Sequence, residues 1–177
     1  MTQAEAKASY QIRAATQTDA KDLVRMRLAL QAHVTRANPH LVAMTAQRAA
    51  TLVNFYLGLL RDAKARVLVA YDLETERVIG MAVGRILRQQ EFEPSEIGRI
   101  DDVWVEPEQR RRGVCRAMVR QLLEFFERAK IEVLVLDYAV GNHEAEQVWR
   151  RLGFQPVLTL ANVGLGEVKR RLEQADR

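Results

Sequence analysis

Between Arg66 and Val140 the apolar pattern changes period twice, and this restricts the fold more than any other feature. Two β-rich runs, "RVLVAYD" at 66–72 and "RVIGMAVGRIL" at 77–87, are separated only by "LETE". A link that short joins antiparallel neighbours. "EIGRIDDVWVEP" at 96–107 predicts a third long strand ending at Pro107. Helical spacing follows over 113–129, with Val114, Met118, Leu122, Phe125 and Phe126 on one side. "IEVLVLDYAV" at 131–140 is then nearly continuously apolar, as in a strand covered on both faces. Hairpins that give way to strand–helix–strand units imply an α/β fold. Its central sheet is mixed but mostly antiparallel, with helices on both faces.

The flanks complete the order. "YQIRA" at 10–14 reads as a short strand, and Thr18 can cap a helix carrying Leu23, Met26, Leu30 and Val34. Pro39 interrupts it. A second amphipathic helix over 45–62 shows Leu52, Phe55, Tyr56, Leu59 and Leu60. Asn142 caps a helix that Gly153 stops. "FQPVLTLANV" predicts a last strand, and 165–177 a charged terminal helix. At 177 residues the chain is expected to form one domain over 1–177. A chain of this size buries about 70% of its unfolded surface and needs no staple. Residues 1–9 are polar and expected to be flexible. With no signal segment, no long apolar run and the single Cys115, the expectation is a cytoplasmic protein without an internal disulfide. Three-ligand metal spacing is missing, so no metal is expected. The net charge of +4 permits an anionic partner without requiring one.

"VWVEPEQRRRGVCRAMV", 103–119, places Arg110, Arg111, Arg112 and Arg116 around Gly113 at a helix start. That end of a helix carries partial positive charge, so cations there are unfavourable unless a negative partner sits between them. A strand, a Gly/Arg loop and a helix N-terminus together make a phosphate cradle. A solvated basic loop is the plain alternative. Nucleic-acid binding is disfavoured, because no aromatics interleave with the arginines and no second basic stripe lies near them.

Val105 to Cys115, V-x-P-x-x-R-x-x-G-x-C, resembles the acyl-CoA signature of the GNAT superfamily of N-acetyltransferases. Asn142 to Phe154, N-x-x-A-x-x-x-W-x-x-x-G-F, is similar to the family's second half. The resemblance in element order covers about residues 10–160. It implies acetyl-CoA as cosubstrate and a primary amine, on a small molecule or a peptide, as acceptor. It also implies that strands 96–105 and 131–138 splay apart. Backbone groups of Val103, Trp104 and Val105 would pair with the pantetheine arm. Arg110 and Gly113 match the loop motif, and the N–H groups of Arg111, Arg112, Gly113, Val114, Cys115 and Arg116 would hold the pyrophosphate. Asn142 would reach the pantetheine or act as an N-cap; the two roles compete. A homodimer is compatible with this reading, and no membrane partner is implied.

Two residues depart from the family pattern. Trp149 stands where a tyrosine often serves as acid for the leaving thiolate, and it reads as core packing with Ala145 and Leu152. Two alternatives stand for the missing acid: Tyr138 at the end of the fifth strand replaces it, or the CoA thiolate, a fair leaving group, departs unassisted. Cys115 stands where Gly or Ala is usual; its surroundings would lower a thiol pKa, but it reads as a small residue serving in place of Gly or Ala. These departures keep open an acyl-CoA-binding module with little or no catalysis. For the general base the candidates are Asp102, then Glu96. Alternation puts both on one face of the strand, with Trp104, and sets Asp101 on the other unless a bulge intervenes. His33, Arg36, Asn38 and His40 lie where an acceptor would bind, and each histidine, like His143, reads as a surface residue.

Overall fold

The computed structural model describes residues 9–175. In chain order the elements are β1 (Tyr10–Ala14), α1 (Ala20–Ala37), α2 (Ala46–Ala50), α3 (Leu52–Leu59), β2 (Ala65–Asp72), β3 (Arg77–Arg88), β4 (Glu96–Val105), α4 (Val114–Arg128), β5 (Leu134–Leu136), α5 (His143–Arg151) and α6 (Leu165–Ala175). The sheet runs β1-β2-β3-β4-β5. β1 to β4 pair antiparallel, and β5 joins β4 in parallel after the α4 crossover.

Each face of the sheet carries its own core. Leu68, Ala70, Ile79, Ala82 and Ile100 pack under α4 with Val114, Met118, Leu122, Phe126 and Trp149. Val67, Val69, Met81, Val83 and Trp104 pack under α1 and α3 with Leu23, Met26, Tyr56 and Leu59. Neighbouring β2 residues thus serve opposite cores, which explains a strand that reads as continuously apolar. Full burial of side chains such as Leu122 or Phe126 contributes roughly 1.5–3 kcal/mol each. Gly98 is required on the α4 face: a Cβ there would lie 2.5 Å from Leu134 Cδ2 and 2.9 Å from the Phe126 ring.

Several expectations are corrected. The first helix is not capped by Thr18. Thr16 and Asp19 form a capping box over a short turn at Gln17–Asp19, and Arg13 grips Asp19 at 2.7 Å. The 45–62 helix breaks at Thr51 into α2 and α3. β5 keeps three of the ten residues expected, because β4 offers it partners only from Gly98 to Ile100. "FQPVLTLANV" forms no strand, and residues 155–163 have no regular structure. The flexibility expected for 1–9 concerns residues that, apart from Ser9, lie outside those described.

Candidate active site

The site is created by one irregularity in β4. Trp104 pairs with Met81 and Asp101 with Val83, so Asp102 and Val103 together oppose Ala82. This is a β-bulge, and Asp102 sits in it at φ 39°. Before the bulge, Gly98 and Ile100 face the α4 core. After it, Trp104 faces the α1/α3 core, and Val103 and Val105 face α4. The alternation has slipped by one residue.

Asp101 and Asp102 therefore share the α1/α3 face, against simple parity. Asp101 accepts from Arg85 Nε at 2.7 Å and Arg99 Nε at 2.8 Å. Asp102 accepts from the Tyr56 hydroxyl at 3.0 Å and pairs with Arg27 Nε at 3.1 Å. Tyr56 is fully buried, so its hydroxyl must find a partner inside, and Asp102 is that partner. Burial pushes the Asp102 carboxyl above its ordinary range, although Arg27 and the Tyr56 hydrogen bond act against the rise. Burial and the neighbouring carboxylate push the Tyr56 hydroxyl well above its usual value.

Glu96 is brought nowhere near this group. It lies six residues upstream, about 20 Å along the strand, and pairs with Lys64 Nζ at 2.8 Å. Lys64 holds its carboxyl below the usual range. Its even position matches Gly98 and Ile100 on the α4 side, so the bulge also removes the shared face expected with Asp102. Arg27, Tyr56, Arg85 and Arg99 were not singled out for the site by sequence. Tyr56 carried one usable signal: a hydroxyl on an apolar helix stripe needs a buried acceptor.

β4 and β5 part at the bulge. Their pairing ends at Ile100 and Leu136, and Arg99 contacts Asp137 across the opening. Beyond it the β5-side edge of Val103, Trp104 and Val105 has no strand partner, while Trp104 and Val105 remain paired with β3 on the other side. Tyr138 lies two residues past β5 and packs against the α4-side core. It thus flanks the opening from the face opposite Asp102.

The Gly/Arg loop closes the far side. Arg111 and Gly113 are left-handed, at φ 61° and 83°. The first helical bond of α4 runs from Ala117 N–H to Gly113 O at 2.9 Å. Among the described residues, the N–H groups of Arg111, Arg112, Gly113, Val114, Cys115 and Arg116 meet no backbone acceptor. Such a run of free donors at a helix start, with left-handed residues interspersed, is an anion nest. The arginines divide. Arg110 donates to Val105 O at 3.1 Å and Glu144 at 2.8 Å, and lies 4.9 Å over the Trp104 ring. Arg112 contacts Gln109 and Ser9. Arg111 and Arg116 are exposed and have no acceptor among the described residues, so their charge is free for an anion.

The remaining candidates are placed as follows. The Asn142 side chain accepts from Ala145 N–H at 3.3 Å, which fills its N-cap role. Trp149 is buried edge-on to Phe154 at 5.7 Å, with Ala145 in the same cluster. Leu152 is 43% exposed and takes no part in that packing. For Cys115 the expected lowering is corrected: burial pushes its thiol up. His33 sets its ring edge-on to Trp104 at 5.7 Å, and His143 is exposed. Among the described residues no group of three His, Cys, Asp or Glu is arranged to hold a metal ion, and no helix is long and apolar enough to cross a membrane.

A split sheet edge leading to an anion nest can receive an extended chain that carries a phosphate group. The model of the acetyltransferase (GNAT) family matches residues 27–154. The chain belongs to that family. The class of reaction is therefore acetyl transfer from acetyl-CoA to an amine. Solved structures agree in fold. A predicted acetyltransferase of Clostridium acetobutylicum, determined with acetyl-CoA, is 17% identical with a TM-score of 0.70, over 89% of this chain and 97% of that one. The aminoglycoside antibiotic 6'-N-acetyltransferase of Acinetobacter haemolyticus is 22% identical with a TM-score of 0.67, over 87% and 97%. Glucosamine-6-phosphate N-acetyltransferase of Arabidopsis thaliana is 12% identical with a TM-score of 0.66, over 88% and 98%. By sequence alone the chain matches no curated protein.

Proposed function

We propose that this acetyltransferase takes a primary amine, on a small molecule or a peptide, from the α1/α3 side of β4, with Asp102 as the proton acceptor. The observation behind this is the bulge, which sets a half-buried carboxylate at the mouth of the split between β4 and β5. Bound acetyl-CoA supplies the thioester carbonyl that the amine attacks. The chain's residues do the rest. The free N–H groups of Arg111 to Arg116 hold the pyrophosphate, and the guanidinium groups of Arg111 and Arg116 add charge-assisted hydrogen bonds. The unpaired edge of Val103, Trp104 and Val105 receives the pantetheine arm as an added strand. Asp102, raised by burial, takes a proton from the incoming ammonium directly or through water, because a carboxyl tuned towards neutrality transfers protons more effectively. Arg27 and Tyr56 fix its orientation. Tyr138 donates to the leaving thiolate from the opposite face. The reading extends to a cytoplasmic site of action, where a lone thiol such as Cys115 stays reduced.

The test is an acceptor panel of aminoglycosides, aminosugar phosphates, amino acids, polyamines and peptide N-termini, followed by thiol release from acetyl-CoA. Turnover with one class identifies the acceptor. Tight CoA binding without turnover across the panel would leave an acyl-CoA-binding module instead.

A further inference from the structure

Arg85 and Arg99 stand directly opposite each other on β3 and β4. A Cβ on Gly84 or Gly98 would press on Phe126 under α4, so the next residue on each strand points to the α1/α3 face. Like charges directly across a strand pair repel. Asp101 holds the two together by accepting from both Nε atoms, at 2.7 and 2.8 Å. One carboxylate cannot neutralise two guanidinium groups. Arg99 also contacts Asp137, but that side chain is 78% exposed and solvent screens the pair. Arg85 donates to no second acceptor among the described residues, which leaves its Nη groups over.

The neighbours add positive charge. Arg27 is already paired with Asp102. Arg48 of α2 lies 4.4 Å over the Phe55 ring, and its charge reaches the Tyr56 hydroxyl. Four guanidinium groups, on Arg27, Arg48, Arg85 and Arg99, thus stand against three carboxylates, on Asp101, Asp102 and Asp137. An ammonium arriving at Asp102 raises the excess by one, and a polycation raises it further. Between half-buried groups such repulsion is poorly screened. A plain amine or a polyamine therefore suits this face badly.

We propose that the acceptor carries an acidic group of its own, a carboxylate or a phosphate, a few bonds from the amine, and that Arg85 and Arg99 receive this group while the amine lies at Asp102. The assignment rests on the acceptor cleft proposed above and names the class of amine it takes. The spacing suits it. Both guanidinium heads meet at Asp101, one residue from Asp102, or about 3.3 Å along the strand. Arg85 is close enough for its charge to act on the Asp102 carboxyl. Guanidinium groups that hold Asp101 through Nε turn their Nη donors outward, and a planar fork of this kind matches carboxylate and phosphate oxygens. The added negative charge also cancels the excess.

The test compares paired acceptors on the full chain with acetyl-CoA: amino acids against their amides, and aminosugar phosphates against the free aminosugars, with spermidine as the polycation. In the class that fits, kcat/KM should favour the acidic member by about 10–100-fold, the worth of hydrogen bonds to a charged group. The two kinds of pair distinguish a carboxylate from a phosphate. Arg85→Gln should bring the ratio close to one, and Arg85→Lys, which keeps the charge and loses the fork, should retain part of it. A ratio within each pair cancels general damage to the cleft. Equal rates within every pair, or spermidine turning over faster than every acidic amine, overturn the proposal and leave acetyl transfer standing. So does a preference that survives both Arg85→Gln and Arg99→Gln. If no amine turns over, calorimetry of the same pairs on the CoA-loaded protein decides. Tighter binding of the acidic member, lost in Arg85→Gln, upholds the anion site while the transferase reading fails. Equal binding within the pairs, or none, overturns the anion site as well.

Discussion

The two halves of β4 are one strand with opposite fates. From Glu96 to Ile100 it is paired with β3, and its last three residues are also paired with β5. Its side chains alternate regularly, and Gly98 admits Phe126 and Leu134 so closely that no Cβ fits. From Asp101 to Val105 the β5 partner is gone, the alternation slips, and Asp102 stands in a left-handed conformation beside Arg27 and Tyr56. Full pairing leaves nothing for a ligand to bind. A half-paired backbone with two carboxylates on one face leaves an open edge with a partly buried carboxylate beside it.

Breaking the open half should cost the most. Asp102→Asn is expected to lower kcat/KM by about 10²–10⁴-fold, the usual worth of a general base. The wild-type profile should show activity falling as pH drops through the raised Asp102 value, and the variant should lack that acidic limb. Tyr56→Phe sharpens the assignment. The Tyr56 hydrogen bond holds the Asp102 value down, so its removal should move the limb to higher pH. A limb that stays in place in a folded Tyr56→Phe protein would assign it to another group.

Gly113→Val tests the nest that the open half leads to. At φ 83° a side chain is strained by roughly 1–2 kcal/mol, and the loop can relieve this only by turning its N–H groups away. CoA affinity by calorimetry should fall by about tenfold. Unchanged affinity in a folded variant would remove the loop from the binding site.

The layers of the fold were legible because two periods, 2 and 3.6, alternate cleanly from Arg66 to Phe126 and name the buried faces. The loop was legible because Gly113 among arginines at a helix start conflicts with local electrostatics. The carboxylate cluster was not. "RIDDVWV" contains no residue that announces a bulge, and a single inserted residue inverts every later side chain, so correct alternation gave the wrong partners for Asp102. Arg27, Arg85 and Arg99 come from α1, β3 and β4 and meet only in three dimensions. β5 is shorter than the apolar run 131–140 predicts, because β4 pairs with it only from Gly98 to Ile100 and then turns away.

Gly98→Ala strikes the closed half. Its Cβ would press on Leu134 and Phe126, an overpacking that costs about 1–3 kcal/mol. A chain of this length then loses roughly 2–4 °C in Tm per kcal/mol. CoA affinity of the folded protein should be unchanged, because Gly98 lies before the split. A selective loss of CoA binding without a drop in Tm would mean that the two halves are mechanically coupled.

The smallest effect is expected at the far end of the same strand. Glu96 and Lys64 form an exposed pair, and such pairs are weakened by solvent and by the entropy of holding two long side chains together. Glu96→Gln should leave kcat/KM and its acidic limb unchanged, since the carboxylate sits about 20 Å along the strand from Asp102. Its effect on stability has a definite sign. The value of Glu96 is held below that of an unfolded glutamate, so its contribution is present at neutral pH and is lost as pH falls through the folded value. Wild type and variant should therefore melt together in acid, and any difference should appear only above the ordinary glutamate range and fade with added salt. Loss of the acidic limb in Glu96→Gln, with Asp102→Asn behaving as wild type, would exchange the roles of the two carboxylates. It would place the chemistry at the closed end of β4.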